Sequence, residues 1–162
     1  MTPPRQRIVA VCGASQATDD DRAAATAIGH LLAEHGFLIV CGGGRGVATA
    51  VAAAAKESGG TCVGLLPGDR HEDTAPGVSV PIATGVGHLR NALIVQSCDA
   101  LIAIGGGYGT LGEMAFGLVL DKPVVAINSW SVLRPGESDP DPAVHRASTA
   151  SEAVEWIERR LV

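Results

Sequence analysis

The feature that most constrains this chain is a unit that occurs twice: a short apolar run, a glycine-rich turn, and a helix with apolar periodicity. Asp99-Ala-Leu-Ile-Ala-Ile104 leads into Gly105-Gly106-Gly107-Tyr108-Gly109-Thr110, and apolar residues recur at helical spacing through Leu120. Phe37-Leu-Ile-Val-Cys41 leads in the same way into Gly42-Gly43-Gly44-Arg45-Gly46, followed by an alanine-rich helix over residues 47–58. Runs this short and this apolar read as strands buried on both faces, the pattern of a parallel sheet covered by helices.

The remaining segments keep the alternation. Arg7-Ile-Val-Ala-Val-Cys12-Gly13 is the first strand, stopped by Gly13-Ala14-Ser15, and the Asp19, Asp20 and Asp21 triplet opens a helix that ends at His35-Gly36, where it serves as dipole compensation. Residues 61–66 form a third strand, residues 69–78 a polar loop, and residues 79–84 an edge strand, because Pro81 cannot donate to a ladder. A helix over residues 88–97 carries Arg90 in its first turn, residues 123–128 form a further strand, and residues 130–144 form a Pro, Asp and Ser-rich loop, either mobile or a lid. Thr149-Ala-Ser-Glu152 has the form of a capping box and starts a closing helix. Such an order predicts ligand binding at the carboxyl ends of the strands.

Composition narrows the function classes. The core must be built from Ala, Val, Leu and Ile, since 46 % of residues are hydrophobic and only 3 % aromatic. A net charge of −5, with no basic stripe, disfavours nucleic acid as a partner. The N-terminal Met-Thr-Pro-Pro-Arg-Gln-Arg has no signal region behind it, and no apolar run reaches membrane-spanning length, so a cytoplasmic protein without a membrane partner is expected. Cys12, Cys41, Cys62 and Cys98 are widely spaced with no CxxC pair, and read as reduced core thiols.

The glycine turns read as phosphate cradles, because glycine lets backbone N–H groups approach an anion at a helix N-terminus. Neither fits the dinucleotide pattern GxGxxG, since Val47 and Thr110 stand where the third glycine should, and the GK[ST] ending of a triphosphatase loop is missing. Glu113 stands in tension with a bound phosphate, and Thr110-x-x-Glu113 is itself a capping box in form. Arg90 sits where convergence with Glu113 on one sheet edge is geometrically possible, Arg45 is either a phosphate contact or a solvated turn residue, and His88 is local support.

At these residues the chain resembles the LOG family of cytokinin-activating phosphoribohydrolases, within the wider group of SLOG nucleotide-binding domains. The carriers are Val11-Cys12-Gly13-Ala14-Ser15, the Gly42-Gly43-Gly44 turn and Gly106-Gly107-Tyr108-Gly109-Thr110-Leu111-Gly112-Glu113, which fits the family pattern PGGxGTxxE except at its first position. The resemblance implies a single-domain Rossmann-like α/β three-layer sandwich with a mostly parallel sheet over residues 1–162. It assigns Arg90 and Glu113 to cleavage of the N-glycosidic bond of a nucleoside 5′-monophosphate. It assigns Gly13, Ser15, Gly43, Gly44, Arg45, Gly106, Gly107, Tyr108, Gly109 and Thr110 to holding the nucleotide and its phosphate. It implies a homodimer that needs no cofactor and no metal. Gly105 in place of the family's proline, Asn91 where lysine is usual, and Val47-Ala48-Thr49 in place of Leu-Met-Gly resemble a shorter branch that includes the molybdenum cofactor carrier proteins of algae. That branch implies an alternative, a non-catalytic carrier or sensor of a phosphorylated ligand. The lysine decarboxylase label sometimes attached to the family is rejected on chemistry: pyridoxal phosphate needs a Schiff-base lysine, and Lys56 and Lys122, the only lysines, lie off the glycine turns.

Overall fold

The computed structural model describes residues 5–161, so the part of the N-terminal reading that rests on residues 1–4 lies outside the described residues. Seven strands form one sheet in the order β4-β3-β2-β1-β5-β6-β7, and every neighbouring pair is parallel. The strands are β1 (Ile8–Gly13), β2 (Leu38–Cys41), β3 (Cys62–Leu66), β4 (Val80–Ala83), β5 (Ala100–Ile104), β6 (Val124–Ile127) and β7 (Val144–Arg146). The helices are α1 (Asp19–Glu34), α2 (Val47–Glu57), α3 (Arg90–Ser97), α4 (Tyr108–Val119) and α5 (Ala150–Leu161). The fold is the expected Rossmann-like α/β sandwich, with the sheet wholly parallel.

The two faces of the sheet divide the core. Ile28 and Leu32 of α1, Val51 and Ala55 of α2 and Val154 and Ile157 of α5 pack on one face against Val9, Val11, Ile39 and Ile102. Ile94 of α3 and Met114 of α4 pack on the other against Ala10, Cys12, Leu101 and Ala103. All five residues of β5 are buried, which explains why its sequence is an unbroken apolar run and does not alternate. The chain steps outward from β1 to β4 and then returns to place β5 beside β1, so the strand order reverses at the β1–β5 junction. In such sheets that junction opens a crevice at the carboxyl ends of the strands.

Two expectations change. Residues 144–146 form β7, an edge strand of three residues, too short and too polar to stand out from the preceding loop. That loop meets the second glycine turn at its start, where the indole N–H of Trp130 donates to the Gly107 carbonyl at 3.0 Å, and closes on itself where Arg134 Nε donates to Asp141 at 2.8 Å. The acidic triplet does more than compensate a dipole. Thr18 caps α1 by accepting from the Asp21 N–H while the Asp21 carboxylate accepts from the Thr18 N–H, so Asp21 is buried in a capping box that begins one residue before the triplet.

Candidate functional site

Three strand ends meet at the crevice and are stitched together by backbone. The Ala14 N–H donates to the Ile104 carbonyl at 3.3 Å, and the Val47 N–H donates to the Ala14 carbonyl at 3.0 Å. Gly46, at φ 67°, closes the first glycine turn against β1; a Cβ there would run into the Ala14 carbonyl, so the turn comes this close only with glycine. The result is a cavity of about 270 Å³ over the ends of β1 and β2, walled by the first turns of α2, α3 and α4.

Glu113 lies at its floor. Helix α4 begins at Tyr108, with Gly107 as an N-cap that offers no side-chain bond, so Thr110 is already inside the helix. The capping box expected for Thr110 and Glu113 is therefore absent: the cap falls at Gly107, three residues before Thr110, and the carboxylate points inward. Glu113 is only 6 % exposed. Burial raises its pKa from 4.5 to about 7, against the opposing pull of the Cys12 thiol and the Arg90 charge. A carboxyl poised there holds both protonation states at neutral pH, the property required of a general acid or base.

Arg90 is the first residue of α3, after a 3₁₀ turn at Gly87–Leu89. Its Nη1 donates to the carbonyls of Gly42 at 2.5 Å and Leu65 at 2.6 Å, so the guanidinium is fastened to the ends of β2 and β3. A Cβ on Gly42 would stand 2.6 Å from that nitrogen, which gives this glycine a reason of its own. The Arg90 Nε is buried with no hydrogen-bond partner among the described residues. Burial lowers its pKa and the Glu113 charge raises it, so each group sits in the other's field.

Of the expected site residues, Gly13, Ser15, Gly44, Arg45, Arg90, Gly107, Gly109, Thr110 and Glu113 border this one cavity. Gly43 turns away toward Leu66 and Gly64, Gly106 borders a second cavity on the outer side of its turn, and Tyr108 stands in solvent, 84 % exposed. His88, expected as support only, also borders the cavity, and so do Cys12, Gly42 and Asn91, which sequence reasoning did not assign to the site. The position of Cys12 directly before Gly13-Ala14-Ser15 was the available signal. Lys122 is far from the turn: its ammonium group binds the carbonyls of Val95, Gln96 and Cys98 at the carboxyl end of α3. All four cysteines are buried and free, with the sulfurs of Cys41 and Cys62 at 3.5 Å.

Comparison with known proteins follows the same lines. A protein of Archaeoglobus fulgidus with no characterised function is 41 % identical over 120 residues, 74 % of this chain and 78 % of that one. The cytokinin riboside 5′-monophosphate phosphoribohydrolase of Mycobacterium tuberculosis is 30 % identical over 138 residues, 76 % of this chain and 71 % of that one. The probable cytokinin riboside 5′-monophosphate phosphoribohydrolase LOGL5 of rice is 34 % identical over 113 residues, and the chain spans only about half of its length, 46 %. Among solved structures, the molybdenum cofactor binding protein of Rippkaea orientalis superposes with a TM-score of 0.87 at 30 % identity, over 98 % of this chain and 99 % of that one. The Moco carrier protein of Chlamydomonas reinhardtii superposes with a TM-score of 0.83, also at 30 % identity, over 97 % and 98 %. The model of the SLOG cluster4 family matches residues 6–154, and the chain belongs to that family.

Proposed function

We propose that the protein binds a purine nucleoside 5′-monophosphate and hydrolyses its N-glycosidic bond. The observation that carries this reading is the convergence of a buried carboxyl, Glu113, and a fastened guanidinium, Arg90, on one cavity that the glycine turn and the first turn of α4 border. The phosphate binds the uncapped N-terminus of α4, where the helix dipole and free N–H groups favour an anion. Glu113 faces the ribose. As the bond from C1′ to the base breaks, its electron pair leaves with the base nitrogen, which takes up a proton. Water adds to C1′ and gives up a proton, which balances the one taken up by the base, so the products are free base and ribose 5-phosphate. The ionised carboxylate stabilises the oxocarbenium-like charge that develops on the sugar. Incubation with AMP and with an N6-prenylated AMP tests this: free base in the chromatogram supports it, and no base from either sinks it.

A second reading is a carrier or sensor of a phosphorylated ligand such as molybdenum cofactor. It is supported by the end-to-end match to the two molybdenum cofactor proteins, which have the length of this chain where the rice relative does not. Native mass spectrometry of freshly purified protein distinguishes the two: retained intact ligand without turnover favours the carrier. In either case we infer a cytoplasmic homodimer. Among the described residues no helix is long and apolar enough to cross a membrane. Leu89 at 75 % exposure and Leu93, one turn later on α3, offer an apolar contact surface, and light scattering measures the mass.

A further inference from the structure

Aromatic residues are scarce here: two Trp, one Tyr and two Phe in 162 residues. Two of them stack on each other at the second glycine turn. The rings of Tyr108 and Trp130 lie 5.7 Å apart between centroids at 28°. Trp130 is held in place through its indole N–H to the Gly107 carbonyl, and the neighbouring Ser129 hydroxyl donates to the Gly105 carbonyl. Tyr108 is the most exposed large hydrophobic side chain of the described residues, at 84 %. Trp130 also packs against the core beneath α3 and α4, so the indole is a fixed support, and the ring of Tyr108 is the part of the pair left in solvent.

Beside this stack is a second cavity, also of about 270 Å³, lined by Gly105, Gly106, Asn128, Ser129 and Trp130. Asn128, at φ 49°, is one of the lining residues, and its carboxamide carries both a donor and an acceptor. The same glycine turn borders both cavities, Gly107 lining the first and Gly105 and Gly106 the second. The first cavity lies below the roughly 300–1,000 Å³ of ordinary ligand pockets. It accommodates a sugar phosphate more readily than a whole nucleotide, which leaves the ring of a larger ligand to extend over the glycine ridge.

We propose that the Tyr108–Trp130 pair and the cavity behind it form a stacking subsite for a planar heteroaromatic ring, the purine or pterin end of a ligand whose phosphate lies at the N-terminus of α4. The inference rests on the phosphorylated-ligand reading above. Stacking supplies affinity through the ring faces, and Asn128 reads the hydrogen-bonding edge.

Calorimetric titration of wild type, Tyr108→Ala and Trp130→Leu with AMP, neopterin 3′-monophosphate and ribose 5-phosphate tests it. Expected is a loss of about tenfold in affinity for AMP or the pterin phosphate in both variants, with ribose 5-phosphate unchanged within twofold; the ligand whose affinity falls identifies the ring. Tyr108 is exposed, so its variant keeps the test decisive if Trp130→Leu does not fold. Unchanged AMP and pterin affinities in Tyr108→Ala, with ribose 5-phosphate still bound, overturn the subsite and leave the phosphorylated-ligand reading intact. Failure of wild type to bind all three overturns both.

Discussion

Replacing Glu113 with glutamine is expected to stabilise the protein in alkaline solution and to leave it nearly unchanged in acid. In the unfolded chain this carboxyl ionises near 4.5, and in the folded protein near 7. Below pH 4.5 both states are protonated, and burial carries no charge penalty. Between the two values the unfolded chain gives up its proton first, so stability falls as pH rises, and above about 7 the whole penalty stands. A rise of this size, at about 1.4 kcal/mol for each pH unit, is worth about 3 kcal/mol at pH 8 and under about 1 kcal/mol at pH 5. Glutamine keeps the shape of the protonated acid and never ionises. Urea denaturation of both proteins at pH 5 and pH 8 measures the difference, which should grow by about 2 kcal/mol between them. In thermal melts the gain at pH 8 amounts to roughly 6–12 °C for a chain of this size. Equal stability at pH 8, or a gap independent of pH, would refute the claim that Glu113 is held against its own ionisation.

Gly44 and Gly107 border the cavity, and a Cβ at either meets nothing within 4 Å, so Gly44→Ala and Gly107→Ala should fold normally, within about 1 kcal/mol of wild type by denaturation, yet bind AMP at least tenfold more weakly by calorimetry. Arg90→Ala leaves the carbonyls of Gly42 and Leu65 without their shared donor; denaturation should show a loss of about 1–3 kcal/mol, and base release should fall below detection. Lys122→Met frees the carboxyl end of α3 at a stability loss of about 1–2 kcal/mol, while calorimetry should find AMP binding unchanged.

The sheet was legible because β1, β2, β3 and β5 are apolar runs that end in glycine turns, and helical periodicity filled the gaps between them. β7 was not, since three residues that include His145 and Arg146 carry no hydrophobic signature and pair only through the backbone of β6. Thr110 and Glu113 show where pattern misleads. Their spacing fits a capping box, but α4 starts at Tyr108, and a helix that begins three residues earlier than a Thr110 cap implies turns Glu113 toward Cys12 and Arg90. Trp130 was invisible for a different reason: its contact with Gly107 spans 23 residues and depends on where β6 delivers the chain. Arg90 could be named from sequence, whereas its fastening to two strand ends follows from the β3–β2–β1 order and from the absence of a side chain at Gly42.

The central claim is that this cavity breaks a glycosidic bond, with Glu113 taking part. The most direct measurement is a single-turnover experiment with AMP labelled in the base, run on wild type and Glu113→Gln, quenched over time and scored for both intact nucleotide and free adenine. Wild type should convert bound AMP to adenine and ribose 5-phosphate, and Glu113→Gln should hold AMP intact with comparable affinity. Intact AMP in both samples, or adenine released equally fast by both, would contradict it.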